Sequence, residues 1–264
     1  MYKLVAIDLD DTLLTDQLEL TDGTRKALEA AQAKGVTITL ATGRMYASAR
    51  NVARQIGLRV PLITYQGALV KHSEDGTVFY ERYVPQEVIR YVFDYAAKRD
   101  LHLQAYVNDE LIAARENERL IAYSQNSKIP YRIEPDFAKL AEYPMHKLLI
   151  IDEPDKLNQI KAEIEQQYGE VAHFTKSKPN FLEVMHPEGT KGHALQHLAA
   201  QIGCTIEETI AIGDSYNDLE MLQTAGLGVA MGNAVEALKE AADFVTYSNN
   251  EEGVRHVIER FILS

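Results

Sequence analysis

The chain has 264 residues, with 27 Lys and Arg against 39 Asp and Glu, for a formal net charge of −12. Its length allows one large domain or two modest ones, and its acidity argues against a polyanionic partner, because nucleic acid rewards basic surface and counterion release. Apolar residues at 46% and charged residues at 25% are ordinary globular usage, with enough material for a large core. The N-terminal apolar run is too short for a signal peptide. No stretch approaches the roughly 18 apolar residues that suggest a membrane span. Cys204, the only cysteine, rules out an intramolecular disulfide and a multi-cysteine zinc site, and fits a reducing cytoplasm.

Leu4 to Ile7 is a short continuous apolar run, the pattern of a strand buried on both faces. Thr21 to Lys34 reads as a helix capped by Thr21 and stopped by Gly35. Residues 36–41 form a second strand, 45–56 a helix ended by Gly57, and 62–65 a third strand. This alternation predicts a Rossmann-like α/β core with a parallel sheet. Val70 to Val78 suggests a hairpin turning at Asp75-Gly76. Pro85 opens a helix carrying Ile89, Val92, Phe93 and Ala96 on one face. Strands follow at 101–107, 110–114, 146–151, 170–175 and 180–185, with a helix at 155–168. The α/β alternation then returns: a helix at 191–201, a strand at 209–212, a helix at 218–224, strands at 227–231 and 244–246, and a closing helix at 253–262. Residues 84–187 therefore read as an α+β domain inserted between two parts of one core, 1–83 and 188–264.

Polar residues gather where the core strands end: Asp8-Leu9-Asp10-Asp11-Thr12, Thr42-Gly43-Arg44 and Gly213-Asp214-Ser215-Tyr216-Asn217-Asp218. Ligands of open parallel sheets bind beyond the carboxyl ends of the strands. Five carboxylates in one crevice would repel one another and take up protons. A divalent cation removes that conflict, and all-oxygen ligands favour Mg²⁺. Any single Asp here also suits a helix cap or turn; three clusters at three strand ends argue for a site. Lys191 opens a helix, where the dipole disfavours a cation; it reads either as a solvated lysine that tolerates the dipole or as one that faces a phosphate and offsets the field of the carboxylates. Thr42-Gly43 offers a hydroxyl and an unobstructed backbone N–H to a phosphoryl oxygen, although Thr-Gly is also an ordinary turn.

These clusters, in this order, resemble the four motifs of the haloacid dehalogenase (HAD) superfamily. Asp8-Leu9-Asp10-Asp11-Thr12-Leu13 is similar to the first, Thr42-Gly43 to the second, Lys191 to the third and Gly213 to Asp218 to the fourth. The insert lies where the Cof-type (class IIB) branch carries an α+β cap. Thr64 to Ala68 and Gly228 to Ala234 also resemble that branch; the resemblance covers nearly the whole chain, with the cap matched in position and type, and is close to the YidA-like sugar phosphatases. Two residues depart from the pattern: Asp11 stands where Gly is usual, and Gln66 where Asn is usual.

The resemblance implies that Asp8 is the nucleophile and becomes an aspartyl-phosphate. Asp10 protonates the leaving oxygen and then activates water. Mg²⁺ is held by Asp8, the Asp10 backbone carbonyl and Asp214. Lys191, Thr42, Asn217 and the Leu9 and Gly43 amides bind the phosphoryl oxygens, while Asp218 orients Lys191 or the metal shell. The implied activity is Mg²⁺-dependent hydrolysis of small phosphorylated metabolites, sugar phosphates first. A nucleotide or cofactor such as a flavin or pyridoxal phosphate is the alternative substrate. A phospho-aspartate signalling switch is the competing class, opposed by the insert and by Asp10.

The cap is expected to act as a lid hinged near Val84-Pro85 and Pro187-Glu188-Gly189. Tyr106, Asn108, His173, Lys176 and Glu183 are candidates to face the cleft. His193 and His197 have metal-like i, i+4 spacing but no HExxH context, and read as a solvated pair. Cys204 reads as a small semi-buried residue.

Overall fold

The computed structural model describes residues 1–264. The first stretch runs β1 (Leu4–Asp8), α1 (Asp22–Ala33), β2 (Thr37–Ala41), α2 (Tyr46–Gln55), β3 (Pro61–Thr64), β4 (Leu69–His72) and β5 (Val78–Glu81). The middle holds α3 (Gln86–Lys98), β6 (His102–Val107), β7 (Glu110–Ala113), α4 (Glu118–Ser127), β8 (Tyr131–Ile133), β9 (Leu148–Ile151), α5 (Pro154–Tyr168), β10 (His173–Lys178) and β11 (Phe181–Met185). The last stretch adds α6 (Lys191–Gln201), β12 (Thr209–Gly213), α7 (Leu219–Thr224), β13 (Leu227–Ala230), α8 (Glu236–Ala241), β14 (Phe244–Val245) and α9 (Gly253–Ile258).

The main sheet has the order β14-β13-β12-β1-β2-β3-β4-β5. Its first six strands are parallel, and β4 and β5 extend it as an antiparallel hairpin. All five residues of β1 are buried, as a strand covered by helices on both faces requires. Leu4 pairs with Thr209 on one side and Thr37 on the other. The first and last stretches of the chain therefore share one sheet, and β1 lies at the point where strand order reverses. Thr21 caps α1 by accepting from the Thr24 amide, and Ala27, Leu28 and Ala31 pack inward.

The second sheet has the order β10-β11-β9-β6-β7-β8, antiparallel except for β7 with β8. One face packs under α3 and α5 through Val88, Val92, Leu103, Ile150, Leu157 and Ile164. The other face sends Tyr106, Leu111, Leu149 and Ile151 into the main core. The chain passes between the sheets at residues 82–85 and 186–189. Those crossings are tied by the Arg82–Glu188 ion pair (2.8 Å) and by the Tyr80 hydroxyl donating to the Glu188 carbonyl (2.7 Å). No helix is long and apolar enough to cross a membrane.

Four departures from the sequence reading have local causes. The expected strand at 170–175 starts only at His173, because the Tyr168 carbonyl accepts from Val171 and Ala172 and prolongs the turn after α5. Helix α4 escapes the apolar pattern, since only Leu120 and Tyr123 of its ten residues are buried. Strands as short as β8 and helices as short as α8 carry too few residues for a period to show. The closing helix keeps α-geometry to Ile258 and then widens into a π-type turn through Leu263.

Candidate active site

Beyond Asp8 the chain enters a tight turn in which Asp11 takes a left-handed conformation (φ 61°, ψ 8°). Glycine enters that region freely, and Asp is among the few side chains that tolerate it. The departure at Asp11 is thus compatible with the same backbone. Thr12 donates its hydroxyl to Asp214 Oδ1 at 2.9 Å, joining the ends of β1 and β12.

Asp8 is 6% exposed and Lys191 only 1%. The Lys191 ammonium donates to Asp8 Oδ1 at 2.5 Å and to Asp218 Oδ1 at 2.6 Å. Asp218 Oδ2 in turn accepts the Asp214 and Ser215 amides, each at 3.1 Å. Asp218 is therefore fully engaged in holding Lys191 and the turn after β12. Burial pushes the Asp8 carboxyl well above the usual range, Lys191 opposes that shift, and Asp218 and Asp214 reinforce it. Burial, then Asp218, raises the Asp214 carboxyl to about 6. Burial alone would lower the Lys191 ammonium, but Asp218 and Asp8 outweigh it and raise it.

Carboxylate oxygens of Asp8, Asp214 and Asp218 lie within 4.8 Å of one another. Three carboxylates against one ammonium leave excess negative charge in a buried place, and all the donors are hard oxygens. That chemistry fits a hard dication. Because Asp218 is spent on Lys191 and two amides, Asp8 and Asp214 are the carboxylates with capacity to spare.

A cavity of about 460 Å³ opens over this cluster. Asp8, Asp10, Thr42, Gly43, Asp214 and Asn217 line it, whereas Leu9, Lys191 and Asp218 lie buried behind its wall. Thr42 accepts the Arg44 amide on its hydroxyl at 3.2 Å. Arg44 grips Asp10 with both ends of its fork, Nε to Oδ2 at 2.8 Å and Nη2 to Oδ1 at 2.6 Å. Asn217 donates to Gln66 Oε1 at 2.9 Å.

The second sheet closes the cavity from above. Gln66, in a left-handed conformation (φ 62°), donates to Glu183 Oε2 at 2.6 Å. Glu183 Oε1 accepts from Lys147 at 2.6 Å, and Lys147 also donates to the Gly43 carbonyl at 2.8 Å. This chain of contacts links Asn217, Gln66, Glu183, Lys147 and Gly43 across both sheets. Burial would lower the Lys147 ammonium, but Glu183 overrides it and raises it.

Of the five cap candidates only Glu183 lines the cavity. Tyr106 is buried in the seam between the sheets, edge-on to Tyr65 and bonded to the Tyr123 hydroxyl at 2.8 Å. Asn108 sits in the β6–β7 turn. His173 begins β10 and is not among the residues lining the cavity, and Lys176 turns out to Asn158 at 2.8 Å. An irregularity in β10 between Thr175 and Lys178 brings Ser177 and Lys178 to the cavity wall instead. The i, i+4 histidines split up: His193 bonds Thr190, while His197 stacks on Tyr80 at 4.4 Å. Cys204 is buried.

The sequence placed Arg44 in a strand-end cluster but gave it no role, and it left out Lys147, the α4 group Tyr123, Asn126 and Ser127, and Ser177, Lys178 and Phe181 of the second sheet. One signal was available for Lys147: a lone cation beside the apolar run Leu148 to Ile151 needs a buried partner.

Gly67 fixes where Lys191 sits. Its φ is +117°, and a Cβ there would lie 2.1 Å from the Thr190 carbonyl oxygen. Gly67→Ala is expected to lose about 2–4 kcal/mol of stability and to lower turnover as α6 retreats. Urea denaturation and a turnover assay check this; an unaltered midpoint contradicts it.

Carboxylates and one lysine gathered at the carboxyl ends of parallel strands are the equipment of a hydrolase that handles an anion. The chain belongs to the haloacid dehalogenase-like hydrolase family, whose pattern matches residues 5–258, and it is a phosphatase. It is 31% identical over 261 residues to the 5-amino-6-(5-phospho-D-ribitylamino)uracil phosphatase YcsE of Bacillus subtilis (strain 168), covering 99% of this chain and 96% of that one. The crystal structure of TM0651 from Thermotoga maritima superposes with a TM-score of 0.88 at 37% identity, covering 99% and 98% of the two chains. The HAD subclass IIB sugar phosphatase BT4131 superposes with a TM-score of 0.84 at 26% identity, covering 98% of each chain.

Proposed function

We propose that this chain is a Mg²⁺-dependent phosphomonoesterase of small phosphorylated metabolites, sugar phosphates foremost, acting in the cytoplasm. The observation that carries this reading is the buried Asp8 carboxylate, held by Lys191 and open to the cavity beside Asp214. Asp8 attacks phosphorus; the bond from phosphorus to the leaving oxygen breaks as the aspartyl-phosphate forms. Asp10 gives that oxygen a proton and then takes one from the water that releases phosphate. Both Asp10 oxygens are engaged by Arg44, so this pair opens before Asp10 delivers a proton. Lys191 and Thr42, with the Leu9 and Gly43 amides, hold the phosphoryl oxygens, and Asn217, anchored by Gln66, stands with them. Asp218 orients Lys191. Asp8, Asp214 and the Asp10 backbone carbonyl would hold Mg²⁺, which offsets the repulsion between nucleophile and phosphoryl oxygens.

The second sheet serves as the lid over the leaving group, hinged near Val84-Pro85 and Pro187-Glu188-Gly189. Hydroxyl and amide groups of Asn126, Ser127 and Ser177 on its side of the cavity suit a polyol leaving group, in line with the sugar phosphatase BT4131. A planar cofactor phosphate is the second reading. It is favoured by Phe181 and Tyr123, whose rings lie 5.8 Å apart on the wall, and by the likeness to YcsE. Hydrolysis of p-nitrophenyl phosphate with Mg²⁺, and its loss with EDTA, tests the activity. A panel of phosphate esters ranked by kcat/KM separates the substrate readings.

Metal binding carries its own pH signature. Asp214 holds its proton up to about pH 6 in the fold, against 3.8 ordinarily. As pH rises through that window, the unfolded chain loses this proton first, so the metal-free fold loses stability. A dication must displace the same proton below about pH 6. Mg²⁺ is therefore expected to raise the melting temperature more at pH 8 than at pH 5. Equal shifts at both values contradict the assignment.

A further inference from the structure

We propose that a basic cleft beside the catalytic cavity binds a distal anionic group of the substrate, so that the preferred leaving groups carry a second phosphate or a carboxylate. This inference rests on the phosphatase reading above.

The cleft has a volume of about 570 Å³ and lies between α2, the segment after β1 and the end of α4. Arg25, Arg44, Arg54 and Lys128 line it against a single acid, Glu19. The chain as a whole carries 39 acidic and 27 basic side chains, so this concave patch has the opposite sign to the molecule. Arg44 is paired with Asp10, but Arg25, Arg54 and Lys128 enter no ion pair, and Arg25 donates to the Ile56 carbonyl. Like cations collected in a concavity repel one another and focus a positive potential. An anion relieves that repulsion, and guanidinium forks match phosphate and carboxylate oxygens two at a time.

The cleft adjoins the catalytic cavity. Leu18, Arg44, Asn126 and Ser127 line both. A ligand whose reacting phosphate faces Asp8 thus brings its far end to the wall shared with the basic cleft. Arg44 forms the partition: two of its nitrogens hold Asp10, and Nη1 donates to Ser48 Oγ at 3.2 Å. An anion arriving in the cleft draws the guanidinium toward itself and loosens its hold on Asp10. Occupancy of the cleft and release of the acid–base residue are coupled through one side chain.

Arg54 and Lys128 line the cleft and not the catalytic cavity, and both are exposed. The test compares a hexose 6-phosphate, the corresponding hexose 1,6-bisphosphate and p-nitrophenyl phosphate, in the wild type and in Arg54→Gln/Lys128→Gln. The expected result is a kcat/KM at least tenfold higher for the bisphosphate in the wild type. The double variant loses that advantage through KM and leaves p-nitrophenyl phosphate turnover unchanged. Equal kcat/KM for the two hexose esters in the wild type overturns the proposal. So does stimulation of monophosphate turnover by sulfate without a bisphosphate preference, which assigns the cleft to a free anion. Absence of p-nitrophenyl phosphate turnover would overturn the phosphatase reading instead. The cleft is then judged by calorimetric titration: tighter binding of the bisphosphate, weakened in the double variant, supports it, and equal affinities overturn it.

Discussion

Asp8→Asn is expected to reduce turnover of p-nitrophenyl phosphate by on the order of 10⁴-fold or more, the scale seen when a nucleophile is removed. An amide neither attacks phosphorus nor carries the charge that Lys191 faces at 2.5 Å. The fold should survive the change. Lys191 keeps Asp218 at 2.6 Å, and the carboxyl removed is one that burial and two neighbouring acids already disfavour as an anion. The melting temperature is therefore expected to hold or rise, as happens when a strained functional charge is neutralised. Retention of activity within tenfold of wild type would remove Asp8 from the role given it. A collapse in stability would mark it as structural.

The second large effect concerns stability. Lys147 and Glu183 form an ion pair whose side chains are each 2% exposed. Lys147→Met leaves Glu183 buried with Gln66 as its remaining polar partner. Breaking a buried pair on one side typically loses about 3–5 kcal/mol, and replacing both partners with apolar residues of similar size recovers much of it. Lys147→Met alone is expected to fall in that range, and Lys147→Met/Glu183→Leu to regain at least half. Urea denaturation of the two single variants, the double variant and the wild type closes the cycle. Additive losses would mean that the two groups do not depend on each other. The single variant also removes the Lys147 bond to the Gly43 carbonyl, which joins the second sheet to the loop after β2.

Much of the main sheet was legible because central strands such as β1 and β12 are short apolar runs followed by polar residues. Leu4 to Ile7 and Thr209 to Ile212 are buried on both faces, so no alternation hides them. The second sheet was legible in outline, as strands broken by prolines and helices. Its details were not: β10 starts three residues late because of a backbone turn, and α4 is too polar for its period to stand out. The acidic clusters and Lys191 could be read as one site because they recur at strand ends. The cap candidates could not be ranked in the same way. Whether a strand residue faces the cavity depends on register and on an irregularity such as the one before Lys178.

The order of residues along the chain determined the chemistry on offer: acids after one strand, a threonine and glycine after the next, a lysine opening a late helix, acids again after a late strand. That much is local, because strand ends and helix starts are written in short runs of side chains. Only the tertiary structure decided the pairings: Arg44 on Asp10, Lys147 between Glu183 and the Gly43 carbonyl, and four cations around a cleft in an acidic protein. Charges attract over a few ångströms of space regardless of their separation along the chain. Which of them meet is therefore settled by how the two sheets pack.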